Sequence, residues 1–124
     1  MPLAALRSLD GGRKAQILQF LYEAGLIGPD PVVQLNGADL SRAELEEAVL
    51  RQAELRGVHF EGAVLRNSTL AGADLRGSDF SNADLRGANM QGTNFTQAIL
   101  SNAIVIPGAL ALAITDQAIL PRDF

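Results

Sequence analysis

Few residues in this chain have side chains suited to chemistry, and their spacing decides what they can do. The single histidine, His59, lies twenty residues after Asp39 and twenty before Asp79. An acid–imidazole–acid column can relay protons or hold a metal ion weakly. Ser68, Ser78 and Thr93 offer hydroxyls. Glu54, Asp74 and Asp84 stand two residues before Arg56, Arg76 and Arg86. There is no cysteine, which removes disulfides, thiolate metal sites and cysteine nucleophiles. Glycine is frequent but opens no phosphate-binding loop before a helix. What these groups can do depends on the backbone that carries them.

That backbone is periodic. Leu40, Leu45, Leu50, Leu55, Phe60, Leu65, Leu70, Leu75, Phe80, Leu85, Met90, Phe95 and Leu100 are large, apolar and five residues apart. Two residues before nearly every centre stands a small residue: Ala38, Ala43, Ala48, Ala53, Ala63, Ala73, Ala83, Ala88 and Ala98, with Val58, Ser68, Ser78 and Thr93 in the other slots. On an α-helix a step of five turns the side chain by roughly 140°, which would scatter the centres around the cylinder. On a continuous strand an odd step would alternate them between faces. A chain that turns a corner every five residues keeps both the small residue and the centre inside. Four such corners close one coil of about twenty residues, and successive coils stack like strands, ~4.8 Å apart.

The second residue after each centre supports the corners. Gly57, Gly62, Asn67, Gly72, Gly77, Asn82, Gly87 and Gly92 fill it in the middle of the chain. Gly and Asn accept the positive φ of a type II turn. Arg42, Glu47 and Gln52 stand there earlier, so type I-like corners are expected at the N-terminal end, and Gln97 interrupts the pattern later.

With "ADLSR", "ADLRG" twice, "ANMQG" and "TNFTQ", the chain resembles the pentapeptide repeat proteins, whose pattern is A(D/N)LXX. The resemblance covers about residues 33–105. It implies an all-β solenoid, the right-handed quadrilateral β-helix, here with fewer than four coils. The stretch "GRKAQILQFLYEAGLI" is similar to the short helix that precedes the coils in members from photosynthetic bacteria.

The expected organisation is an N-terminal tail and capping helix over 1–31, the repeats over 32–105, and a cap or association segment over 106–124. Asp10 is a suitable N-cap. Ile17, Leu18, Phe20, Leu21 and Ala24 form an apolar stripe near helical spacing. In the last segment Ala118 and Leu120 keep the five-residue register, while Pro107 can start a short helix through Leu112. The segment is too apolar to stay wet, so it either covers the last coil or buries itself in a second copy, which leaves the chain a monomer or a homodimer.

The 124 residues allow one domain, with a net charge of −4 and only 5% aromatic residues. That balance argues against direct nucleic-acid binding, which calls for a basic patch. No secretory signal is evident, and the apolar run from Ala103 to Ile114 is broken by Pro107 and Gly108, so the expected location is the cytoplasm. No catalytic residue, cofactor or metal is expected. On a flat exterior the His59 column reads as a solvated ladder, and the inward hydroxyls bond backbone.

The expected function is that of a non-catalytic structural or protein-interaction module with an unidentified protein partner. Its candidate partner-facing surface is Arg56, Arg76, Arg66, Arg86, Asp74, Asp79 and Asp84. The alternative comes from the resemblance, because some family members imitate duplex DNA and bind DNA gyrase or another DNA-binding protein. Such a mimic needs dense outward carboxylates. From Asn36 to Val105 there are nine acids and six arginines, a net of −3, which is thin for that role.

Overall fold

The computed structural model describes residues 3–124. A 3₁₀ helix, Leu3–Ser8, precedes one α-helix, α1, Gly11–Glu23. From Asp39 onward the chain is a stack of coils joined by parallel bridges between residues twenty apart. Four columns of bridges define four sides. One runs Asp39, His59, Asp79, Ile99, Ile119, the next Glu44, Val64, Asp84, Ile104, the third Val49, Thr69, Asn89, and the fourth Glu54, Asp74, Asn94, Ile114. Each bridging residue is the outward one between a small residue and a centre.

Three backbone bonds recur around the stack. At a centre, the N–H donates to the outward carbonyl of the coil above, as from Leu65 to Asp84 at 2.8 Å. The outward N–H donates to the small residue's carbonyl in the coil below, as from Asp84 to Ala63 at 2.9 Å. The second corner residue donates to the first corner residue above, as from Asn67 to Arg86 at 3.0 Å. Within each corner, the small residue's N–H closes the turn on the preceding centre, as from Ala63 to Phe60 at 3.0 Å.

These bonds settle the corners at the N-terminal end. Arg42, Glu47 and Gln52 take φ of 60°, 61° and 60°, as Gln97 does at 61°, so they have the same left-handed second corner residue as the glycine and asparagine corners. The expectation of type I-like corners there is wrong. A left-handed residue with a side chain costs roughly 1–2 kcal/mol. Each corner sets against this two hydrogen bonds of about 0.5–1.5 kcal/mol net, and an altered corner would also misalign the coil above.

All thirteen centres are at most 2% exposed, and the nine alanines of the small positions at most 8%. Phe60 and Phe80 stack in one column with ring centroids 4.9 Å apart, and Phe95 meets Phe80 edge-on at 5.7 Å. Burying each leucine stabilises by about 1.5–3 kcal/mol, so a core with little aromatic surface is built from many aliphatic contributions. Ser68 and Ser78 donate to the carbonyls of Leu65 and Leu75 at 2.7 Å, and Thr93 donates to Leu70 in the coil below at 2.7 Å.

α1 lies against the first coil and supplies acceptors to its open edge. Asp10 is its N-cap, with a carboxylate that accepts from the Arg13 N–H at 2.8 Å. The Gly11 carbonyl accepts from Glu44 N–H at 3.0 Å, and the Ile27 carbonyl beyond the helix accepts from Glu54 N–H at 2.7 Å. Gln19 and Tyr22 donate to the carbonyls of Val49 and Arg51. Unpaired edge groups template aggregation, and these contacts occupy four of them. Leu18 is buried, Ile17, Leu21 and Tyr22 pack beside it, and Phe20 points away at 65% exposed. The stripe is therefore narrower than the sequence suggests, and it includes Lys14, which is buried.

No helix forms from Pro107 to Leu112; the chain makes successive turns instead. Pro107 falls at a second corner position. Its φ is fixed near −65° and it has no N–H to donate upward. The positive φ moves to Gly108, at 88°. The Asn89 column gains no further bridge, and bridging resumes on the next two sides, at Ile114 and Ile119.

Gly11 provides a direct check of the edge contact. A Cβ there would collide with the Arg42 carbonyl oxygen. Gly11→Ala is expected to destabilise the chain by about 1–3 kcal/mol in urea melts, whereas an unchanged midpoint would mean that α1 does not sit on the first coil.

Candidate functional site

The outward residues have a common local geometry. An Asp or Asn at the bridging position accepts from the N–H of the first corner residue two positions on. Asp39 does so from Ser41 at 3.0 Å, Asp79 from Ser81 at 2.9 Å, Asn89 from Gln91 at 3.1 Å and Asn94 from Thr96 at 3.0 Å. The recurrent bonds of the stack leave that N–H free, and a short polar side chain reaches it without leaving the coil. The acidic or amide residue of the repeat is therefore a corner brace before it is a recognition group.

Two faces carry ion-pair ladders. Asp74 and Arg76 meet through two bonds of 2.8 and 2.6 Å, Asp84 and Arg86 through two of 2.9 and 2.8 Å, and Glu54 holds Arg56 at 2.7 Å. Between coils, Arg56 reaches Asp74 at 3.8 Å and Arg66 reaches Asp84 at 3.5 Å. The hydrogen bond from Arg76 holds the Asp74 carboxyl below its ordinary pKa, and Arg86 does the same to Asp84. The arginines are about half exposed, so each pair contributes little stability. The ladders nonetheless neutralise Glu54, Asp74 and Asp84, while Glu44, Glu46 and Glu47 below Asp84 are exposed and outside them.

The candidate residues thus fall into separate groups. Arg56, Arg76 and Asp74 share one face, Arg66, Arg86 and Asp84 another, and Asp79 lies on a third with His59. On that third face Asp39 and Asp79 flank His59 in the column, but their side chains differ. Lys14 Nζ donates to Asp39 at 3.2 Å and to the Ser41 carbonyl at 3.0 Å, so Asp39 belongs to the helix contact. The His59 ring instead meets Glu61, with Nδ1 3.2 Å from Oε1. Glu61 and Lys14 were missed because they lie outside the bridging position, where periodicity carries no signal.

Among the described residues, the buried hydroxyls of Ser68, Ser78 and Thr93 donate to backbone carbonyls and not to a side-chain base. The described residues include no helix long and apolar enough to cross a membrane. At the far end of the stack, Gly108, Leu110, Ala111, Ala113, Thr115, Leu120 and Phe124 line a shallow depression of about 390 Å³. Ile104, Ile106, Leu112, Ile114, Ile119 and Phe124 are exposed at the same end.

A stack of twenty-residue coils turned every five residues defines a pentapeptide solenoid. The family model for pentapeptide repeats matches residues 33–67 and 63–102, and the chain belongs to that family. It is similar to a pentapeptide repeat protein from Nostoc, with 27% identity, 88% of this chain and 86% of that one covered, and a TM-score of 0.58. A pentapeptide repeat protein from the cyanobacterium Cyanothece is 26% identical over 77% of this chain and 68% of that one, with a TM-score of 0.49. One from the Arabidopsis thaliana thylakoid lumen is 29% identical, with a TM-score of 0.43; the match covers 68% of this chain and 59% of the length of that protein. Comparison with curated protein sequences finds no significant match.

The bonds that Asp39 accepts from Ser41 and Lys14 set an acid limit. Hydrogen bonding from Ser41, then Lys14, lowers the Asp39 pKa from 3.8 to about 2. A depressed carboxylate stabilises the fold above its unfolded pKa, and that contribution fades as pH falls through the folded value. Acid melts should therefore lose stability between about pH 4 and 2, and Asp39→Ala should remove that component while lowering neutral stability by about 1.5–3 kcal/mol. An unaltered acid profile in Asp39→Ala would contradict the assignment.

Proposed function

We propose that the chain is a non-catalytic protein-interaction module of the pentapeptide repeat family. In this reading the rod is right-handed, with fewer than four coils of pentapeptides, and its contact surface is the C-terminal end of the stack. One observation carries the proposal. Outward positions that hold Asp, Glu or His in the lower coils hold Ile99, Ile104, Ile114 and Ile119 in the upper ones. Of these, Ile104, Ile114 and Ile119 join Ile106, Leu112 and Phe124 in placing a concentration of exposed apolar surface around one end of the rod. Such a patch marks an association site. The neutralised ladders on two faces count against imitation of duplex DNA, which relies on unpaired negative charge.

Ile114→Ser/Ile119→Ser would keep the interior and alter only outward positions. Mass by light scattering, together with capture from the native host's lysate, separates the outcomes. A dimer that becomes monomeric in the variant identifies a second copy as the partner. A monomer that retains a protein lost by the variant identifies a different partner. A monomer with the same captured proteins as the variant would overturn the proposal.

A further inference from the structure

The geometry points to a divalent transition-metal site on the third face, formed by His59, Glu61 and Asp79. One ligand atom from each lies within 4.8 Å of the others. Nδ1 of His59 and Oε1 of Glu61 are 3.2 Å apart. With metal–ligand bonds near 2.0–2.1 Å, neighbouring vertices of a tetrahedral zinc shell lie ~3.3 Å apart, so this pair already spans one edge. Asp79 is bridged to His59 through the backbone, which fixes their separation at one coil step. The Ser81 N–H and hydroxyl hold Asp79 Oδ1 at 2.9 and 2.6 Å, which leaves Oδ2 for an ion and orients the group as outer-shell partners do.

Charge is the second argument. Glu54, Asp74 and Asp84 each have an arginine within ion-pair distance. Among the described residues no Arg or Lys forms an ion pair with Glu61 or Asp79: Lys14 is committed to Asp39, and Arg42, at the corner one coil below Glu61, pairs with neither carboxylate. Two carboxylates match the charge of one divalent ion, and the imidazole adds a nitrogen donor. One nitrogen and two oxygen donors favour zinc, or another late first-row ion, over calcium or magnesium. The remaining coordination positions face solvent, where water completes the shell. The site is distinct from the apolar end of the rod, so it stands or falls apart from the interaction reading.

The test is calorimetric titration of the untagged chain with zinc chloride in a non-coordinating buffer, alongside His59→Ala and Asp79→Asn. All three positions are outward, so circular dichroism should be the same for every variant. The expected result is one zinc ion per chain, with affinity reduced at least ~10-fold by either substitution. The His59 ring resonances should shift over the first equivalent. Absence of binding, or binding that both variants retain with unmoved His59 resonances, would overturn the site.

Discussion

Every part of this structure depends on bonds between backbone groups nineteen to twenty-one residues apart. Leu65 N–H to Asp84, Asp84 N–H to Ala63 and Asn67 N–H to Arg86 leave a coil no freedom in its length. One residue more or less would misalign every donor above it. The period of five, the left-handed corner residue and the limit on the size of the small position follow from that requirement. The uniform φ near 60° at Arg42, Glu47 and Gln52 shows its strength, because residues with bulky side chains adopt the conformation that the ladder demands.

The same constraint explains what happens where the ladder stops. At the lower end the edge donors of Glu44 and Glu54 are taken by carbonyls of Gly11 and Ile27, which is why a helix without strong amphipathic character is fixed in place. Lys14 anchors it through Asp39 and Ser41 rather than through apolar packing alone. At the upper end Pro107 cannot supply the corner φ or the upward donor, and the stack deforms. It recovers at Ile114, with an exterior that has changed from charged to apolar. The polar middle and the apolar end are therefore two different surfaces carried by one repeating interior.

Much of the interior was legible because side chains that face a tight core repeat as the backbone repeats. Leu75, Phe80 and Leu85 announce their coil from spacing alone. Residues that answer to a single neighbour were not legible. Phe20 fits a helical stripe by spacing yet faces outward, because α1 meets the coil on a narrow strip centred on Leu18. Arg42 reads as a poor left-handed residue, since local preference says nothing of the hydrogen bond to the Glu61 carbonyl one coil above. The pairing of His59 with Glu61 depends on how side chains rotate at a corner, which a five-residue pattern does not encode.

The most direct measurement of the central constraint is residue-resolved amide hydrogen exchange of the native chain. Amides of centres and bridging positions in the middle coils, such as those of Leu65, Leu70, Asp74 and Asp84, donate between coils and should exchange only through global opening. Amides of first corner residues such as Arg66, which take no part in the ladder, should exchange orders of magnitude faster. Uniform protection across each repeat, or fast exchange at the middle centres, would contradict an account in which the inter-coil ladder holds the fold together.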